Sequence, residues 1–265
     1  MPFCEEKKGR YYQDIMLRQY MFDMHDDFRI GDVLRLVQDT SSRHLEDIGW
    51  GYEKLMKSGY VYLLVYLKVK FYKKFKLWNK ARVYVWPKSN IGARSYRDAI
   101  FLDENGELMA EASTVWVLAD YKNHKIVPPE NSPLNLTLVD DIPLKIGNAK
   151  KIRMPKDLIE TGSRLSVFTD LDPNNHVNNT KYSDIFMDYA AIGVQKCGIM
   201  DQVDFYKKYY LEEFDINYRS EVFLNEDLTI YTSAIKEEDA SIKVYLRGSV
   251  EEKNNFDCVG IFKNR

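Results

Sequence analysis

Apolar residues recur at helical spacing in two places along the chain, and each time runs of alternating β-branched and aromatic residues follow. The first helical stretch, IGDVLRLVQDTSSRHLEDIG over 30–49, predicts an amphipathic helix with Val33, Leu34, Val37 and Leu45 on its apolar side. Strand-like runs come after it: YVYLLVYLKVKFY, ARVYVWP, SYRDAIFLD and ELMAEASTVWVLAD. The second helical stretch, VNNTKYSDIFMDYAAIGVQKCG, is followed by EFDINYRS, LTIYTSAI, SIKVYLRGSV and FDCVGIF. Asp103 to Gly106 in one half and Glu252 to Asn255 in the other read as hairpin turns.

Five of the eight prolines (Pro128, Pro129, Pro133, Pro143, Pro155) fall between these halves, which predicts a linker. A single shift of 146 residues lays Tyr72 on Tyr218, Asn79 on Asn225 and the start of one helix on the start of the other. The pattern points to an internal duplication of one helix-plus-antiparallel-sheet unit. Under that shift His176 falls on Ile30, Asn174 on Phe28 and Glu221 on Phe75, and only Asp172 meets an acid, Asp26. The first half is then expected to lack the polar set of the second.

Composition narrows the class. With 265 residues, 45% hydrophobic and 29% charged, the chain is globular, and collagen, low-complexity disorder and a small disulfide-stapled scaffold are excluded. Cys4, Cys197 and Cys258 have no CxxC spacing, which argues against a disulfide framework or structural zinc and fits a reducing cytoplasm. The start, MPFCEEKKGRYYQD, lacks the apolar segment of a signal peptide, and no run reaches the length of a membrane span, so the expectation is a soluble, cytoplasmic protein.

The net charge of -2 conceals an asymmetry. Between Glu53 and Asp98 there is no acid, while twelve Lys and Arg residues occur; removing those twelve from the 38 basic residues leaves 26 against 40 acids. That segment is a candidate docking surface for something anionic. Nucleic acid fits it poorly, because the basic residues alternate with strand apolars and the chain as a whole is acidic. His25, His44 and His124 share no metal-ligand spacing and read as surface or packed residues.

The densest polar stretch is Asp170 to Tyr182, ahead of the second helix. A plain reading is a loop in which Asn178 or Asn179 caps that helix. The alternation Asp172, Asn174, His176 reads further: on an extended backbone a carboxylate, an amide and an imidazole would project to one side, near a helix N-terminus suited to a developing oxyanion.

The string DLDPNNHVNNTKYSDIFMDY resembles the signature of the acyl-acyl carrier protein (acyl-ACP) thioesterases, and the resemblance runs through most of the chain, including RQYMFDMHDDFRIGDVLRLVQDTSSRHLEDIG and INYRSEVFLNE. It implies an α+β, tandem double hot-dog fold, each half a long helix wrapped by a curved antiparallel β-sheet. The expected divisions are an N-terminal hot-dog domain at 1–130 with the acyl pocket and partner platform, a linker at 131–158, and a catalytic C-terminal hot-dog domain at 159–265. Asp172, Asn174, His176 and Glu221 fall on the family's active-site carboxylate, asparagine, histidine and second acid. The next position, cysteine in plant members, is Val222 here, and valine cannot be a nucleophile.

The resemblance implies a thioester hydrolase that terminates fatty acid synthesis, a bacterial-type member without a transit peptide, needing neither metal nor cofactor. Its partner would be acyl carrier protein bearing a phosphopantetheine-linked acyl chain, and it leaves room for a homodimer. An acyl-coenzyme A thioesterase, a non-catalytic acyl-binding module and a hot-dog dehydratase are the rivals. Asp172 as nucleophile or base and Glu221 as base both stay open, since both are carboxylates with ordinary values near 4.

Overall fold

The computed structural model describes residues 9–123 and 125–265; Cys4 and His124 lie outside the described residues. The chain divides into two compact units at Lys150/Lys151, inside the proline-rich stretch.

The first unit runs β1 (Tyr11–Met16), α1 (Ile30–Asp47), α2 (Tyr52–Lys57), β2 (Tyr60–Phe71), β3 (Lys80–Pro87), β4 (Ser95–Asp103), β5 (Leu108–Asp120) and β6 (Lys125–Val127). Its strands pair antiparallel in the order β1-β3-β4-β5-β2, with β6 on the end of β5. The second unit runs β7 (Ile159–Leu165), α3 (Lys181–Lys196), α4 (Gln202–Lys208), β8 (Tyr209–Tyr218), β9 (Asp227–Lys236), β10 (Ile242–Val250) and β11 (Lys253–Asn264). Its order, β7-β9-β10-β11-β8, repeats that of the first strand for strand. The duplication predicted from the sequence is therefore a duplication of topology.

Alternation places one face of each strand under the helix. In the first unit, α1 buries Val33, Leu34 and Val37, as the periodicity predicts. Its inward stripe then continues through Thr40, Ser41 and His44 rather than Leu45, so three polar residues occupy a face that hydrophobic spacing alone assigns to apolar ones. In the second unit, α3 buries Tyr182, Ile185, Phe186, Ala190 and Val194, and it lies close on β9: a Cβ at Gly193 would come within 2.4 Å of Thr232 Oγ1. Phe186, Phe214, Phe205 and Phe262 form the aromatic centre of that core.

The opposite face of the first sheet is covered by the proline-rich stretch as far as Lys150. Val139 and Leu144 pack on Tyr84, Trp86, Ile100 and Leu102, and Ala149 packs on Tyr96 and Val115. Backbone N–H groups of Lys145 and Ile146 donate to the Glu111 carboxylate, and Ala149 N–H donates to Ser113 Oγ.

Two local expectations are corrected. The second hairpin turns at Glu251 and Glu252, both at positive φ, while Asn254 and Asn255 lie in β11; a two-residue turn matching strand twist needs positive φ at both positions, whichever residues fill them. Helix α3 starts at Lys181, and Asn178 Oδ1 instead accepts from Thr180 N–H and Oγ1–H in an Asx turn just ahead of it.

His44 makes the first unit sensitive to acid. Burial, followed by the nearby Arg97 charge, pushes its imidazole from the usual 6.5 down to about 4. The folded state thus binds fewer protons than the unfolded chain between these values, so its contribution to stability is complete above 6.5 and is lost as pH falls toward 4. The urea midpoint is expected to drop over that window, and a His44→Leu chain should lose part of the dependence; an unchanged slope would contradict the assignment.

Candidate active site

The polar loop ahead of α3 is a closed turn, which corrects the extended arrangement expected from alternation. A short 3-10 turn at 168–170 ends on Asp170, whose buried carboxylate accepts from Arg164 Nη2 (2.8 Å) and Val167 N–H (3.1 Å). Burial alone would raise this carboxyl, but those bonds and the charges of Arg164 and Lys181 outweigh it and hold it below the usual range. The Asp170 carbonyl accepts from Asn178 N–H (2.8 Å), Leu171 bridges to Val177, and Asp172 N–H donates to the His176 carbonyl (3.0 Å). Asn175 takes the left-handed conformation at φ 65° that lets the chain reverse, a role asparagine fills at low cost.

Closure of this turn, rather than strand alternation, brings the side chains together. Asp172 Oδ1 lies 3.6 Å from His176 Nδ1, and Glu221 Oε1 lies 3.9 Å from His176 Nε2. Asp172 also accepts from the backbone N–H of Asn174 (2.9 Å). The imidazole thus stands between two carboxylates of unequal exposure: the Asp172 side chain is 10% exposed, His176 15% and Glu221 55%. The structure groups Asp172, His176 and Glu221, while Asn174 sits on the exposed tip of the turn.

Glu221 reaches the imidazole because its own segment is tied down. Val177 N–H donates to the Val222 carbonyl (2.8 Å), and Asn255 Nδ2 donates to the Glu221 carbonyl (2.9 Å). The Asn255 carbonyl accepts from Arg219 and Ser220 N–H, and its Oδ1 accepts from Val250 N–H. Behind Arg219, the fully buried Asp257 carboxylate binds Arg219 Nη2 (2.5 Å) and Arg247 Nε (2.8 Å). Tyr182 forms the floor, packed on Phe256 and Tyr218; burial, then the charges of Glu221 and Asp172, push its phenol above the ordinary value and keep it protonated. Asn255, Asp257 and Tyr182 were not singled out from the sequence. Tyr182 lies inside the signature string, but nothing local marks Asn255, which pattern reading assigns to a turn. Val222 and Cys258 are fully buried, and burial raises the Cys258 thiol.

The first unit repeats the closure of this turn. Asp23 N–H donates to the Asp27 carbonyl, His25 N–H to Asp23 Oδ1, Asp26 holds φ 58° and Phe22 bridges to Phe28. These bonds lay Asp172 on Asp23, Asn174 on His25 and His176 on Asp27, an offset of 149 rather than 146. The following turns, with Trp78 and Asn225 at matching positive φ, lay Glu221 on Lys74. One fixed shift cannot follow loops that differ in length. The first unit therefore has a polar set after all, but one of reversed charge: Lys74 Nζ lies 3.6 Å from Asp27 and donates to the His25 carbonyl. An ammonium–carboxylate pair stands where the second unit has a carboxylate–imidazole pair, so the imidazole between two carboxylates is not repeated there.

The acid-free segment is partly neutralised by its fold. Lys73 pairs with Glu107, Lys74 with Asp27, Arg82 with Asp14 and Lys88 with Asp98, and Arg97 is buried. No helix among the described residues is long and apolar enough to cross a membrane.

Comparison with known proteins adds to this geometry. The family model for the acyl-ACP thioesterase N-terminal domain matches residues 8–131, and that for the C-terminal domain matches 160–258. A palmitoyl-acyl carrier protein thioesterase, chloroplastic, of Arabidopsis thaliana is 23% identical over 200 residues, covering 70% of this chain and 48% of that protein. An acyl-[acyl-carrier-protein] hydrolase, chloroplastic, of Cuphea viscosissima is 24% identical over 186 residues, covering 65% of this chain and 45% of that protein. The chain thus spans about half the length of these curated relatives. Among solved structures, an acyl-ACP thioesterase from Bacteroides thetaiotaomicron superposes with TM-score 0.80 at 16% identity, over 96% of this chain and 98% of that one. A 12:0-ACP thioesterase from Umbellularia californica gives 0.75 at 16% identity, over 97% and 94%. The fold is the α+β double hot-dog expected from the sequence.

Proposed function

Because the chain belongs to the acyl-ACP thioesterase family, we propose that it hydrolyses the thioester of a fatty acyl group carried on acyl carrier protein, releasing the free acid and the carrier thiol. The observation that carries the reaction is the His176 imidazole held between Asp172 and Glu221, one carboxylate sheltered and the other open to water. Separations of 3.6 and 3.9 Å are ion-pair lengths, and catalytic hydrogen bonds commonly tighten only when substrate is bound.

The exposure of Glu221 supports its role as the base. A water oxygen adds to the thioester carbonyl carbon as Glu221 takes its proton. Collapse of the tetrahedral intermediate breaks the C–S bond, and the sulfur leaves with a proton handed on through His176, so that acid and thiol are both accounted for. The Val177 carbonyl, 3.3 Å from Nδ1, and Asp172, 3.6 Å from the same nitrogen and fixed by the Asn174 N–H, orient the imidazole. The free thiols of Cys197 and Cys258 are in keeping with a cytoplasmic setting.

The test pairs thioesters of one chain length on acyl carrier protein and on coenzyme A, with released acid read by mass spectrometry. A kcat/KM higher on the carrier supports the partner, and equal or better turnover on coenzyme A replaces it. Asp172→Asn and Glu221→Gln, measured separately, divide the two roles; full activity in both would remove the site assignment.

A further inference from the structure

The buried polar stripe on α1 has a partner across the core of the first unit. Arg97, on β4, is 8% exposed, and its Nη1 donates to the Ser41 carbonyl at 3.0 Å. The adjacent Asp98 is no counter-ion for it. Strand alternation sends Asp98 to the opposite face, where Lys88 lies 3.0 Å away. Among the described residues no carboxylate pairs with Arg97. Ser41 and His44, each 7% exposed, both belong to the same face of α1, and Ser41 Oγ and His44 Nδ1 have no hydrogen-bond partner among the described residues. Tyr11 stacks flat on the His44 ring and Trp116 Nε1 is already committed to Thr114 Oγ1.

A buried guanidinium stays protonated in proteins, and a charge left uncompensated in a core is costly enough that such groups are normally paired. Burial pulls Arg97 down only to about 10, so it is a cation at neutral pH. The hydroxyl of Ser41, whose carbonyl Arg97 already binds, and the imidazole of His44, on which the Arg97 charge acts, supply two further neutral groups able to donate. One positive charge with neutral donors matches one singly charged acceptor; a phosphate dianion would leave a charge in excess.

We propose that Arg97, Ser41 and His44 form a carboxylate-binding site inside the first unit, separate from the Asp172, His176 and Glu221 set. The carboxylate has two sources of the same chemistry: the head of a free fatty acid, or an acid group at the far end of an acyl chain. The site does not depend on the hydrolytic reading, since all three residues belong to the first unit and binding can be measured without turnover.

The experiment is calorimetric titration of the full chain with two matched pairs: octanoate against octanol, and the pantetheine thioester of suberic acid against that of octanoic acid. The thioesters are titrated on an Asp172→Asn, Glu221→Gln background so that they are not consumed. At least one pair should favour the carboxylate by tenfold or more, and the pair that does so identifies the source. Arg97→Met should abolish the preference and Arg97→Lys should keep part of it. Exchanging an unpaired buried charge for an apolar side chain of similar length is expected to keep the fold; should Arg97→Met fail to fold, Ser41→Ala should weaken carboxylate binding at least threefold. Equal affinities within both pairs, a preference that survives Arg97→Met, or, where that chain does not fold, undiminished binding in Ser41→Ala, would overturn the site.

Discussion

Replacing His176 with alanine is expected to lower kcat for thioester hydrolysis by about 10²–10⁴, the range over which a positioned acid–base group acts, while KM changes little. The ring lies within ion-pair distance of both carboxylates, so its loss removes the group between Asp172 and Glu221 and, on the proposed mechanism, leaves the departing sulfur without its proton donor. The fold should tolerate the change, because the loop is closed by main-chain bonds, Asp172 N–H to the His176 carbonyl and Asn178 N–H to the Asp170 carbonyl, that alanine retains. Kinetics together with an unchanged melting curve check this. A variant of wild-type turnover would place the chemistry elsewhere.

The second large effect is on stability. Asp257 is fully buried and receives Arg219, Arg247 and Asn254 Nδ2. Asp257→Ala leaves those donors facing an apolar side chain, and breaking a buried pair from one side costs about 3–5 kcal/mol. Arg219 and Arg247 are each about one-third exposed and can recover some hydration, which puts the expectation at the lower end of that range. Arg219 lies two residues before Glu221, so activity should fall as well, even below the temperature at which the chain melts. Urea unfolding of the variant gives the first figure, and turnover at 20 °C the second. Asp257→Asn, which keeps an acceptor, should lose less.

The sequence reading succeeded where spacing and side-chain chemistry agree. Val33, Leu34 and Val37 are legible as a helix face because water expels them, and the strands β2 to β5 are legible because β-branched and aromatic residues fill a pleated surface. Asp172, Asn174 and His176 stand out by their alternation in a polar stretch ahead of a helix, whereas Glu221 is reached only through the family resemblance of INYRSEVFLNE, since it lies 45 positions beyond His176 and no local rule joins them. Three things stayed hidden. Asn255 and Asp257 act through bonds to a segment some 35 residues away. The charge-reversed loop of the first unit is invisible to a single rigid shift because the connections of the two units differ in length. The polar stripe of Ser41 and His44 was missed because amphipathic periodicity counts only apolar residues as inward-facing.

The stretch between Ser132 and Lys150 bears on where this chain can be cut. Val139, Leu144 and Ala149 lie over Trp86, Ile100, Leu102 and Tyr96 on the outer face of the first sheet. A fragment ended at residue 131, where the N-terminal family match stops, would carry that face bare and would stick to other copies through it. The first unit as a separate piece needs its tail through Lys150, so the proline-rich stretch is for most of its length the lid of a core rather than a tether.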